Sequence, residues 1–272
     1  MEDTYQDVSM LREYVTLQGI TLSVWVYYID GMLVDTGSKT ISAQVQAFTE
    51  KYRPEQVLIT HLHEDHYGMA GWMQQEKGLP VYIHPMSVQS AAHPPVLPRY
   101  RELFWGNPAS FYPQPLGAEH ETNRYRFHVI ETPGHASDHV ALFDAENGRL
   151  FSGDLFLGSK VKICMRGESM PALMDSVRRV LELDFDTLFC AHAGIIPNGK
   201  QRLREKLSHL EEIEHTIKEK HRQGWNLREI TRFLYPRRPP IYHLSYGEWS
   251  PIHIVHSFFQ SISQQNYNAY PK

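Results

Sequence analysis

The sequence predicts a layered α+β fold followed by a helical C-terminal appendage. Two observations carry this: short, apolar, β-rich runs are interleaved with helical patterns as far as residue 199, and from Lys200 onward apolar residues recur at helical spacing. With 272 residues, 42% of them hydrophobic, the chain can enclose a sizeable core.

Thr21 to Ile29, Met32 to Asp35 and Val57 to Thr60 read as strands, with a helix over Ser42 to Tyr52 between the last two. Pro80 to Ile83, Phe127 to Glu131, Val140 to Phe143, Leu150 to Ser152 and Thr187 to Cys190 are further strands. Pro171 to Leu183 forms a helix whose Leu173, Met174, Val177, Val180 and Leu181 share one face. The stretch from His93 to His120 is rich in proline and aromatic residues, which predicts a long surface excursion without regular structure. Beyond it, Leu203, Leu207, Leu210, Ile213 and Ile217 define a long amphipathic helix stopped at Gly224. Asn226 and Glu229 form a capping box for a second helix ended by Pro236, and Ser250-Pro251 opens a third. The expected division is a layered α+β domain over 1–199 and a helical appendage over 200–272.

The formal net charge of -4 gives no general attraction for nucleic acid or an anionic membrane. No apolar run approaches the roughly 20 residues that span a bilayer, and the first ten residues lack the pattern of a secretory signal. A cytoplasmic protein with no membrane association is the expectation. Cys164 and Cys190 are read as free, structural thiols, because a disulfide framework needs more cysteines and a secretory context.

The segment Ile59-Thr-His61-Leu-His63-Glu-Asp65-His66-Tyr-Gly68 sets three histidines and a carboxylate immediately after an apolar strand. Neutral imidazoles and carboxylates are the ligands that zinc and similar divalent ions prefer, and a strand end feeding a loop aims several of them at one point. The ordered pattern His-x-His-x-Asp-His is far more restrictive than any isolated histidine among the 16 present.

That pattern resembles the metallo-β-lactamase superfamily, and the family's other motifs follow in order. Met32-Leu-Val-Asp35-Thr-Gly37 is similar to the opening strand motif, and Thr132-Pro-Gly-His135-Ala-Ser-Asp-His139 to the third-histidine motif. Phe151-Ser-Gly-Asp154 resembles the bridging-aspartate motif, and Ala191-His192-Ala-Gly194 occupies the place of the last histidine. The resemblance covers about Thr21 to Pro197 and implies a four-layered αββα metallo-β-lactamase sandwich with the C-terminal helical appendage outside it. It implies two divalent metal ions: His61, His63 and His135 on the first, Asp65, His66 and His192 on the second, and Asp154 bridging them. Asp35 and His139 become supports, and Ala193 departs from the family's usual glycine. Zinc is the family-based expectation; the same donors accept manganese or iron.

Two ions about 3.5–4 Å apart can share a water and lower its pKa toward neutrality, while polarising a scissile carbonyl or phosphoryl oxygen. The expected enzyme is therefore a dinuclear metallohydrolase using a metal-bridging hydroxide on an ester, thioester or lactone of a small organic substrate, with Asp65 orienting the nucleophile. Glyoxalase II-like hydrolases are similar, but the glutathione-binding segments of that group are absent. The tail resembles that of the β-lactamase-like protein 2 group, associated with endoribonuclease activity; residues 201–272 carry 11 basic and 7 acidic side chains, a net of +4. Nucleic acid as partner stays open but ranks below a small molecule, for want of a basic stripe with interleaved aromatics. Two further alternatives are a mononuclear iron persulfide dioxygenase-like oxidoreductase and a non-catalytic metal-bearing binding protein. The sequence leaves the oligomeric state open.

Overall fold

A computed structural model describes the backbone of residues 1–268 and the side chains of residues 1–260. In chain order the first elements are β1 (Glu2–Tyr5), β2 (Val8–Leu17), β3 (Ile20–Ile29), β4 (Met32–Val34), α1 (Ser42–Tyr52), β5 (Gln56–Leu58), α2 (Glu64–Tyr67) and α3 (Ala70–Lys77). Next come β6 (Val81–Ile83), α4 (Val88–Ala92), α5 (Arg99–Trp105), β7 (Gln114–Pro115), β8 (Glu119–Glu121), β9 (Arg126–Glu131), β10 (Val140–Asp144) and β11 (Arg149–Gly153). The rest are β12 (Cys164–Met165), α6 (Met170–Leu181), β13 (Thr187–Cys190), β14 (Gly194–Ile196), α7 (Gly199–Arg222), α8 (Leu227–Leu234), α9 (Pro240–Leu244), β15 (Trp249–Ser250) and α10 (Pro251–Asn268).

The chain forms two compact units. The first holds Met1–Thr132, Asp138–Leu157 and Leu183–Gly199; the second holds Pro133–Ser137, Gly158–Glu182 and the chain from Lys200 on. Both sheets of the sandwich lie in the first unit. One runs in the order β1 to β7, antiparallel through β4 and parallel from β4 to β7; the other runs β14-β13-β11-β10-β9-β8, with β11 and β13 parallel. Their inner faces share one core, in which Val8, Met10 and Ile29 of the first sheet meet Phe127, Leu142 and Phe151 of the second. Tyr27 packs edge-on to Phe151 and Phe189, and its hydroxyl donates to the Cys190 carbonyl at 2.7 Å, so an apolar ring gains a satisfied polar end.

The second unit is mainly helical. Ser169 caps α6 by accepting from the Ala172 amide at 3.3 Å, and the Asn226/Glu229 capping box of α8 is present, as the sequence predicts. Leu203, Leu210, Ile213 and Ile217 form the buried face of α7. Cys164 and Cys190 are free and buried, in agreement with the sequence. Among the described residues no helix is long and apolar enough to cross a membrane.

The structure corrects three expectations. Strands begin at Glu2 rather than Thr21, because β1 and β2 extend the first sheet. The 93–120 excursion is not irregular: Pro98 stands at the N-cap of α5 rather than breaking a helix, and β7 and β8 follow. Helix α9, opened by Pro240, lies in a stretch with no expected element.

Candidate metal centre

Strand β5 ends at Leu58, and the next residues turn into the single helical turn α2 with His63 at its N-cap. Asp35 organises this turn. Its backbone adopts φ +61°, a left-handed conformation that aspartate tolerates better than most residues. Its carboxylate accepts from the Thr60 amide at 2.8 Å, from the Thr60 hydroxyl at 3.0 Å and from His66 Nδ1 at 2.8 Å. The last bond sets the His66 tautomer and turns Nε2 inward, where it is buried without a hydrogen-bond partner.

His192 repeats the arrangement from the second sheet. Its Nδ1 donates to the Ser23 carbonyl at 2.6 Å, which leaves Nε2 3.2 Å from Asp65 Oδ2 and 3.3 Å from Asp154 Oδ2. His66 Nε2 lies 3.4 Å from Asp154 Oδ1 and 3.8 Å from Asp65 Oδ2. Two imidazoles backed by protein acceptors thus point their remaining nitrogens at two carboxylates, a donor set suited to a divalent ion of the zinc, manganese or iron kind. Asp65, His66 and His192 form one group able to hold a metal, and His61, His66 and Asp154 a second. His61 Nε2 is also 2.9 Å from His63 Nδ1.

Asp154 is placed by His139, whose Nε2 accepts from the Asp154 amide at 2.9 Å while Nδ1 donates to Thr132 Oγ1 at 2.7 Å. Gly153 makes that bond possible: it adopts φ +45°, and a Cβ there would stand 2.6 Å from His139 Nε2. Asp35 and His139 therefore act through the residues they hold, as the resemblance implies. The exposed methyl of Ala193 accommodates the departure from glycine.

Charge at the site follows from this packing. Burial disfavours a charged His66, yet the carboxylates of Asp35, Asp154 and Asp65 outweigh it and hold the imidazole pKa well above its ordinary value. His192 is raised against burial by Asp154 and Asp65. Burial works to raise Asp65, but His66 and His192 outweigh it and hold the carboxyl well below its ordinary value. Without metal ions the cluster is stabilised by protons, which ions would displace.

His135 belongs to the second unit. Its Nδ1 lies 3.2 Å from Glu168 Oε2, and Glu168 Oε1 accepts from the Met165 amide at 2.6 Å. The segment that carries it leaves the first unit after Thr132 and rejoins it at Asp138, and the Thr132 amide donates to the His139 carbonyl at 2.8 Å.

Sequence reasoning missed several supports. The Asp138 carboxylate accepts from the Leu62 amide at 2.8 Å and the Ser87 hydroxyl at 2.6 Å, pinning the ligand loop. Glu64 on α2 accepts from Arg101 Nη2 at 2.9 and 2.7 Å and from Arg101 Nε at 3.1 Å, and Arg101 sits on α5 inside the proline-rich excursion. Tyr67 is buried, with its ring 5.7 Å from Phe111. His84 lies outside the candidate ligand groups, and its Nδ1 accepts from the Met86 amide at 3.3 Å. Asp138 stands inside the His135 motif, so the sequence held a local signal for it as it did for Asp35 and His139; Glu168 and Arg101 carry none.

The sequence profile of the "Metallo-beta-lactamase superfamily" matches residues 19–192, a span that contains all seven ligand candidates. The chain belongs to the metallo-β-lactamase superfamily. It is 27% identical over 214 residues to the "Beta-lactamase-like protein 2 homolog" of Drosophila melanogaster, spanning 75% of this chain and 68% of that protein. A metallo-β-lactamase family protein from Thermus thermophilus superposes with a TM-score of 0.71 at 18% identity, over 96% of this chain and 95% of the other, which bears on the fold alone. A protein crystallised in a di-iron-bound form matches 70% of this chain and 96% of its own, with a TM-score of 0.54 and 26% identity.

Proposed function

We propose that this metallo-β-lactamase superfamily member is a dinuclear metal-dependent hydrolase acting on an ester, thioester or lactone of a small organic molecule. The observation that carries the reading is the convergence of His66 Nε2 and His192 Nε2 on Asp65 and Asp154, each imidazole being fixed from behind by an acceptor. Asp65, His66 and His192 are assigned to one ion, His61, His63 and His135 to the other, and Asp154 to both. The His135 assignment rests on its motif and on a tether of three residues, about 10 Å of chain, from Thr132.

Bound ions in this donor set supply an acidified water and a Lewis acid for the scissile oxygen. The chain's own residues do the rest. Asp65, held as a carboxylate, orients the attacking water and takes its proton. Asp35 and the Ser23 carbonyl keep the two imidazoles in the tautomer that leaves Nε2 free. His139 keeps Asp154 in register through a backbone bond. Zinc is the proposed metal. The di-iron-bound relative supports iron as a second reading of the same site. Elemental analysis beside a panel of p-nitrophenyl ester, lactone, thioester and phosphodiester substrates tests the proposal. Turnover of one acyl class supports it, and turnover of the phosphodiester alone replaces it with the nuclease reading.

A further inference from the structure

The second unit contains a cavity of about 580 Å³, in the range of small-molecule sites. Arg228, Thr231, Arg232 and Tyr235 form one wall, spaced three and four residues apart along and just past α8, so one helical face supplies them all. Arg238 and Tyr242 form another wall, the guanidinium standing 4.5 Å over the tyrosine ring. That contact restricts a side chain otherwise costly to order. Ser250, Pro251 and Ile252 close the cavity with the first turn of α10, whose dipole favours negative charge.

What separates this wall from an ordinary solvated helix face is that its arginines converge on one cavity with no acidic residue in the lining. Some cations of the unit are matched by carboxylates: Arg178 bonds Asp175 and Glu211, Arg202 bonds Glu205, and Lys218 bonds Glu214. Among the described residues Arg228, Arg232 and Arg238 have no carboxylate partner, and the nearby Glu229 is engaged in the α8 capping box. An adjoining cavity of about 430 Å³ shares Tyr235, Pro236 and Arg238 and adds Lys160, Lys162 and Arg237. Three unmatched guanidiniums around one cavity suit bidentate contacts to phosphate oxygens, while the tyrosines and prolines offer surface for an apolar or planar group.

We propose that this cavity binds a small organic molecule with at least two negative charges, of the nucleoside diphosphate class. The site is independent of the metal centre, and the hydrolase reading does not depend on it.

Calorimetric titration of the metal-loaded full chain with adenosine diphosphate, inorganic pyrophosphate and a short single-stranded oligoribonucleotide tests the assignment. The expected result is saturable binding of adenosine diphosphate, weaker by about tenfold or more in Arg228→Ala/Arg232→Ala and in Arg238→Ala, with metal content unchanged. All three arginines are exposed, so the variants keep their fold, which circular dichroism verifies. Equal affinity in parent and variants overturns the proposal, because the anion then sits at the metal centre. Absence of saturable binding overturns it as well. Pyrophosphate binding as tightly as the nucleotide removes the organic part of the assignment. An oligonucleotide that outcompetes the nucleotide at the same arginines replaces a small ligand with nucleic acid.

Discussion

Asp154 sets one carboxylate oxygen at each imidazole, Oδ1 3.4 Å from His66 Nε2 and Oδ2 3.3 Å from His192 Nε2, and Asp154→Ala removes both. The account expects loss of at least one metal ion per chain and of most hydrolytic activity, with an unchanged circular dichroism spectrum; full metal content in this variant contradicts the assignment. Asp35 lies behind His66 and fixes its tautomer, so Asp35→Ala is expected to weaken metal binding by about 10–100-fold in a competitive chelator titration. Protonation gives a third expectation. In the metal-free protein His66 and His192 have pKa values raised above the unfolded-state value, so their stabilisation is complete below about pH 6.5 and is lost as pH rises through the folded value. Asp65 has the opposite sign: its contribution is present above about pH 4 and falls away as pH drops through its lowered folded value. Chelator-treated protein is therefore expected to melt at a lower temperature near pH 8.5 than near pH 5.5, and metal loading, which needs deprotonated imidazoles, to reverse that trend. A metal-free melting temperature that rises over this interval contradicts the geometry.

At the scale of elements, the excursion and the ligand turn stand or fall together. The Arg101 guanidinium on α5 is the counter-ion of Glu64 on α2; burial raises the Glu64 carboxyl, and Arg101 works against that. Arg101→Ala leaves a buried carboxylate unpaired, at an expected cost of about 3–5 kcal/mol in denaturant unfolding. Adding Glu64→Gln is expected to restore part of the loss; no recovery in the double variant argues that Arg101 acts by packing alone. The same elements show where the sequence was legible. Helix α1 begins and ends where its periodicity predicts, because a single apolar face decides it. β2 was not legible: Arg12 and Glu13 interrupt its alternation, and the strand is recognisable mainly from the left-handed Gln18-Gly19 turn that joins it to β3. Helix α5 was hidden by Pro98, which breaks a helix interior but not an N-cap.

For the whole molecule, the proposed metal donors stood out in the sequence because each lies in a short motif at a strand end. Of their supports, Asp35 and His139 were legible from their motifs, whereas Ser23, Ser87, Glu168 and Arg101 are ordinary residues brought in by tertiary pairing over long sequence separations. The basic residues of the tail were visible as sequence, but whether they formed a solvated face or a cavity wall depended on how α8, α9 and α10 fold. Metal ions that bind only the folded state would stabilise it by mass action, so chelation is expected to lower the melting temperature at neutral pH. The most direct test of the central claim is elemental analysis by inductively coupled plasma mass spectrometry on tag-free protein, with the ester, lactone, thioester and phosphodiester panel run on the same sample. The account predicts close to two zinc ions per chain, as the proposed two-ion assignment requires, with turnover of one acyl class; a single iron per chain with oxygen consumption and no hydrolysis would contradict it.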